Sequence, residues 1–189
     1  LRPHFFWGVQ NADAPPRMNV FLVGPMGSGK SAVGRQLAQR LALEFIDSDA
    51  EIEARTGVDI AYIFEREGEA GFRSREAEVI DALSRRDRVL VSTGGGAILD
   101  ASTRERLRAR GRVVYLRTSV DQQLARTRRS NDRPLLNNDD PRGTLERLFE
   151  QRAPLYTEVA EIVVDTDGRK VKAVVDQICH QLGIDGVEP

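Results

Sequence analysis

The sequence predicts an α/β fold of three layers, in which a five-stranded parallel sheet is flanked by helices. Three observations predict it. Short strand-like runs alternate along the chain with helix-periodic stretches, the mark of successive βαβ units. Those runs are apolar almost throughout, as strands buried on both faces must be. The 189 residues are 40% apolar and 30% charged with a net charge of −1, the make-up of one globular domain with a sizeable core.

Residues 1–17, "LRPHFFWGVQNADAPPR", read as an N-terminal extension closed by Pro15–Pro16, with the domain proper spanning 18–189. The apolar "FFWGV" is too short for the core of a signal peptide. The first strand is "NVFLVG" (19–24), and the helix after it carries Val33, Leu37 and Leu41 on one stripe. Further strands are expected at "EFID" (44–47), 88–93, "RVVYLR" (112–117) and "EIVVD" (161–165). A last helix sets Val171, Val174, Val175, Ile178 and Leu182 on one face. Two segments interrupt the alternation. One is helical and highly charged, at about 50–87, and the other is polar and turn-rich, at about 128–141; both are expected as excursions above the sheet rather than core.

Composition narrows the function classes. A pI near 6.2 leaves no basic footprint for nucleic acid or an acidic membrane. No apolar run reaches membrane-spanning length. Cys179 stands alone and His4 and His180 lie far apart, so neither a disulfide framework nor a metal-ligand cluster is indicated. A reducing, cytoplasmic setting is expected.

The first chemistry-bearing motif is "GPMGSGKS" (Gly24 to Ser31), of the form G-x-x-x-x-G-K-[ST], directly after a strand and before a helix. In that setting Gly24, Gly27 and Gly29 let the backbone curl so that successive N–H groups point at one anion, with Ser28 and Ala32 also nucleotide-binding candidates, and the helix N-terminus adds positive potential. Only three of the 28 basic residues are lysines. One is Lys30, placed to bridge the β- and γ-phosphates, with Ser31 offering an oxygen to Mg²⁺. The chain therefore reads as a nucleoside-triphosphate binder with a P-loop.

A P-loop enzyme commonly holds magnesium with an Asp on another core strand, but 88–93 ends in Ser92–Thr93 and three glycines. Acids occur instead in "FIDSD", where Asp47 and Asp49 follow at spacing two and so point the same way along an extended segment. One would serve the metal and one the nucleophile. Asp49 also precedes a helical stretch, and capping that helix is the alternative.

Two arginines suggest an anionic acceptor. Arg152 falls inside the apolar stripe of Leu145, Leu148, Phe149, Leu155 and Tyr156, and a guanidinium so placed needs a fixed anion. Arg73 shares a face with Ala77 and Ile80, with Glu76 one turn on to brace it. Together they could clamp a carboxylate; each alone also fits an ordinary ion pair or a snorkelling side chain. Arg133, in "NDRPLL", suits either a flap closing over a transferring phosphoryl group or a solvated loop charge. Gly94, Gly95 and Gly96 raise a separate question, because three bare residues after a strand imply close approach to the main chain or a very sharp turn.

From Met18 to about Leu182 the chain resembles shikimate kinase, through "LVGPMGSGKS", "EFIDSD", "GFRSRE", "STGGGAIL", "RPLL" and "QRAPLY" in the family's order. The resemblance implies a P-loop kinase fold like that of nucleoside monophosphate kinases, with 50–87 as substrate-binding excursion and 128–141 as lid. It implies ATP-dependent phosphorylation of the 3-hydroxyl of shikimate, yielding shikimate 3-phosphate and ADP on the route to chorismate and the aromatic amino acids, by a cytoplasmic monomer. Asp49 would bind the ring hydroxyl as base or orienting group, Arg73 and Arg152 the carboxylate, and Gly94, Gly95 and Gly96 would bring backbone to the ring, where any Cβ would push it away. Ser31 and Asp47 would serve Mg²⁺. Lys30 and the lid's Arg133 would meet the transferring phosphoryl group, and Arg126 and Arg169 would lie on the adenine side.

Overall fold

The computed structural model describes residues 18–127 and 139–184. The N-terminal extension and most of the lid, Arg133 included, lie outside the described residues. Five parallel strands form one sheet: β1 (Val20–Val23), β2 (Glu44–Asp47), β3 (Val89–Ser92), β4 (Arg112–Arg117) and β5 (Ile162–Asp165), in the spatial order β2-β3-β1-β4-β5. Every neighbouring pair is parallel, with Val20 opposite both Leu90 and Arg112. Each expected strand is present to within a residue or two of its sequence bounds.

The period of two sorts the strand side chains into two layers. Phe21, Val23, Val89, Val91, Val113 and Tyr115 point to one face, and Val20, Leu22, Leu90, Val114 and Leu116 to the other. The second face is covered by α1 (Lys30–Leu41), through Val33, Leu37, Ala38 and Leu41, and by α7 (Val171–Gln181), through Val174, Val175, Ile178 and Cys179. Val171, expected on the apolar stripe of α7, is exposed at the start of that helix.

The first face carries α3 (Ile60–Ser84), α4 (Ala101–Arg110) and α6 (Pro141–Val159). Here the structure corrects one expectation. The 50–87 segment is not wholly an excursion: α3 breaks at Gly68, where φ is +70°, and beyond the break Phe72, Val79, Ile80 and Leu83 are buried in the main core. Even Ile52 of α2 (Ser48–Thr56) and Ile63 in the first turns of α3 are buried in that core. Between β4 and α6 lies α5 (Val120–Thr127). No helix among the described residues is long and apolar enough to cross a membrane.

The order 2-3-1-4-5 places the carboxyl ends of β2, β3 and β1 side by side next to the point where the chain switches direction across the sheet, where open α/β sheets bind ligands. All three motifs with glycine or acid leave the sheet there.

Candidate active site

Beyond Val23 the chain curls through residues 24–29 into α1. Gly24 has φ +146°, and a methyl group there would lie 2.5 Å from the Leu116 carbonyl oxygen, so only glycine fits. Gly29 is the N-cap of α1 in the left-handed region, with no side-chain cap and no acid in the first turn. The N-terminus of α1 therefore faces the loop with its positive end, as an anion site requires. The Lys30 ammonium arches over the loop and donates to Gly24 O at 2.7 Å and Pro25 O at 2.9 Å. The two halves of the motif thus form one cationic cradle.

On α5, Arg126 donates to Gly27 O at 2.8 Å and Thr166 O at 3.3 Å, joining the cradle to the loop after β5. That loop is held in turn by Asp167, whose carboxylate accepts from the Thr118 hydroxyl and from Ser119 N at 3.0 Å. Arg169 behaves differently. Its guanidinium hydrogen-bonds Asp165 O at the end of β5 and Ala173 O and the Gln177 side chain on α7, whereas Arg126 contacts the cradle directly.

The acids converge by a route the sequence spacing did not suggest. The extended segment stops at Asp47, and α2 begins at Ser48, so Asp49 sits in the first turn of a helix rather than two along a strand. The cap of that helix is Asp47, not Asp49: its Oδ1 accepts from Asp49 N at 3.0 Å. Its Oδ2 accepts from Ser31 Oγ at 3.1 Å, across to α1. A hard pair of oxygens thus borders the cradle, while no group of three or more His, Cys, Asp or Glu among the described residues could hold a metal unaided.

The glycine turn after β3 answers the question its sequence raised, with a correction. A methyl at Gly94 would lie 2.3 Å from Glu76 Oε1 and 2.9 Å from Asp49 Oδ1. One at Gly96 would lie 2.3 Å from Cζ and both terminal nitrogens of Arg73. The space left bare at these two positions is filled by the protein's own carboxylates and guanidinium. Gly95 is the exception: a methyl there would make only ordinary contact, at 3.5 Å from Gly24 O and from Tyr156 Oη and 3.6 Å from Met26 N. Those distances also set the glycine turn directly against the phosphate cradle.

Arg73 is braced as its spacing suggested. It donates to Glu76 Oε2 at 2.6 Å and to Glu69 Oε1 at 3.2 Å. Burial would lower the Arg73 pKa, but these two carboxylates outweigh it and hold it above its ordinary value. Glu76 is 2% exposed, and its Oε1 has no hydrogen-bond partner among the described residues. Burial raises its pKa above the ordinary carboxylate range; the nearby Asp49 adds to the rise, while Arg73 and Arg152 oppose it.

Arg152 on α6 is 5% exposed, has no carboxylate within ion-pair distance among the described residues, and its Nε lacks an acceptor. A buried guanidinium left so poorly matched is costly unless an anion joins it. Sequence reasoning brought Asp49, Arg73, Arg152 and the glycines to one place, and the structure joins them around Glu76. It missed two buried hydroxyls that bind the glycine turn, on Ser48 and Tyr156. A tyrosine inside an apolar stripe one helical turn after Arg152 was the available signal.

Comparison with known proteins points to one family. The family model described as shikimate kinase matches residues 26–183. A shikimate kinase of Shewanella amazonensis is 56% identical over 167 residues, covering 88% of this chain and 98% of that protein. One of Alteromonas mediterranea is 54% identical over 168 residues, covering 89% and 98%. The solved structure of shikimate kinase from Acinetobacter baumannii in complex with shikimate superposes with a TM-score of 0.88 at 45% identity, covering 92% of this chain and 97% of that one. A gluconokinase from Sinorhizobium meliloti, at 18% identity and a TM-score of 0.51, shares the fold alone. With the family model spanning most of the chain and relatives matched over nearly their whole length, this chain belongs to the shikimate kinase family.

Proposed function

We propose that the protein transfers the γ-phosphoryl group of ATP to the 3-hydroxyl of shikimate, releasing ADP and shikimate 3-phosphate for aromatic amino-acid synthesis in the cytoplasm. The observation that carries the acceptor is Arg152. A buried guanidinium without a carboxylate partner among the described residues, beside a second guanidinium braced by Glu76, supports a small carboxylic acid as the bound species. The cradle formed by Gly27 to Ala32 supports the triphosphate.

In this reading Arg152 and Arg73 grip the acceptor carboxylate, and the glycine turn presents main chain to its ring. Asp49 receives a hydrogen bond from the 3-hydroxyl and accepts its proton as the oxygen bonds to the γ-phosphorus. The bond from that phosphorus to its bridging oxygen breaks, and ADP departs. Lys30 and the lid residue Arg133 offset the charge gathering on the phosphoryl oxygens. Mg²⁺ suits the oxygen pair of Ser31 and Asp47, because that ion takes few protein ligands and completes its shell with phosphate and water. It would supply charge neutralisation. Arg126 flanks the nucleotide base. Every one of these groups comes from one chain, which supports action as a monomer.

A coupled assay tests the reading. Purified protein with Mg·ATP is expected to release ADP on addition of shikimate, and not of quinate or gluconate. No release with shikimate refutes it.

A further inference from the structure

The main-chain hydrogen bonds of the glycine turn can be followed one by one. Gly94 N donates to Ser48 Oγ at 3.0 Å, and Ser48 is fully buried. Gly94 O accepts from Ala97 N at 3.2 Å, and Gly96 O accepts from Leu99 N at 3.0 Å. Gly95 O accepts from the Tyr156 hydroxyl. Two donors remain: neither Gly95 N–H nor Gly96 N–H has an acceptor among the described residues. Gly96 is a buried residue, and buried main-chain donors are rarely left without a partner.

A trans peptide unit is planar, with its C=O and N–H pointing opposite ways. The hydroxyl that holds Gly95 C=O therefore also sets the direction in which Gly96 N–H is offered. Were the 95–96 peptide to flip, a carbonyl oxygen would face the acceptor in place of a donor, and an anion would be repelled. Three features make Tyr156 suited to prevent this. It is 1% exposed, its ring stacks on Tyr115 at 4.9 Å between centroids, and it stands one turn after Arg152 on α6. Burial keeps its hydroxyl protonated far above neutral pH, with Arg152 only partly opposing the rise.

We propose that Tyr156 is a positioning residue for the acceptor: by holding the Gly95 carbonyl, its hydroxyl keeps the Gly96 N–H available as a donor to the bound carboxylic acid. This rests on the function proposed above. The residue touches no reacting atom and acts through the turn, while its oxygen also meets the Arg152 guanidinium.

Tyr156→Phe removes the hydroxyl and leaves the stacked ring. The KM for shikimate is expected to rise at least about tenfold, the loss of one buried hydrogen bond, while the KM for ATP stays within about twofold. A shikimate KM within twofold of the parent overturns the proposal, and so does an equal rise in both KM values, which would mark a general structural role. A second measurement needs no variant. In ¹⁵N-glycine-labelled parent protein, saturating shikimate is expected to shift the Gly96 amide resonance; an unmoved resonance overturns the proposal. The parent assayed alongside separates the two readings, since a parent inert toward shikimate refutes the proposed function itself.

Discussion

Adding one methyl group at Gly96 should cost the enzyme its acceptor and little else. The backbone there has φ −97°, which any residue adopts, so the effect is steric. The methyl would begin 2.3 Å from three atoms of the Arg73 guanidinium, where ordinary contact needs about 3.5 Å. The guanidinium is the far end of a flexible side chain and can retreat by about 1 Å. That retreat ruins its 2.6 Å bond to Glu76, because hydrogen bonds weaken steeply outside their normal range. The displaced guanidinium also loses its charge-assisted bond to the acceptor carboxylate, worth about 1.5–3 kcal/mol, so the KM for shikimate in Gly96→Ala should rise by about 10- to 150-fold. The KM for ATP, bound at the neighbouring cradle, should change by less than about twofold. Steady-state kinetics with each substrate varied in turn measures both. Gly95→Ala is the control for folding, since its methyl meets only ordinary contacts, and its unfolding free energy should stay within about 0.5 kcal/mol of the parent. A Gly96→Ala enzyme with a parental shikimate KM would refute the claim that Arg73 occupies the missing side chain's place and binds the acceptor from there.

Three other outcomes follow from the site. Asp49→Asn should leave the KM for ATP near normal and lower kcat by about two orders of magnitude, as loss of a general base does; equal turnover would remove Asp49 from the chemistry. Arg152→Ala should weaken shikimate binding by about 2–5 kcal/mol in calorimetric titration, the range for truncating a desolvated charge pair, and unaltered binding would make Arg152 structural. Glu76 holds its proton to a higher pH in the folded protein than in the unfolded chain, whose ordinary value is 4.5. The folded state then binds more protons in that interval, so this contribution to stability is complete below the ordinary value and is lost as pH rises through the raised one. Urea unfolding from about pH 4 to about pH 8 should show the parent losing stability relative to Glu76→Gln as pH increases; a flat or rising difference contradicts the assignment.

The strands were legible because burial on both faces forces unbroken apolar runs, and β1 is apolar at every position. The phosphate cradle was legible because its chemistry is local, with every essential residue within eight positions. The second half of α3 was misread for an opposite reason. Its outward face is so rich in Glu and Arg that the stripe of Phe72, Val79, Ile80 and Leu83 is diluted below notice. Asp47 and Asp49 were rightly joined but by the wrong geometry, since a strand end and a helix cap can share the same spacing. Ser48 left no readable pattern, and Tyr156 showed only as a tyrosine in an apolar stripe one turn after Arg152, with nothing to name its partner. Each meets the glycine turn from tens of residues away, and a contact of side chain to main chain imposes no residue type on its partner that a sequence can display.

Asp47 spreads its two oxygens between α1 and α2, one at Ser31 and one at the amide of Asp49. On the proposed function, that one carboxylate joins the nucleotide side of the site to the acceptor side. Whatever shifts Ser31 tugs the opening turn that carries Asp49, and the reverse holds by thermodynamic reciprocity: the help one ligand lends the other must be returned in equal measure.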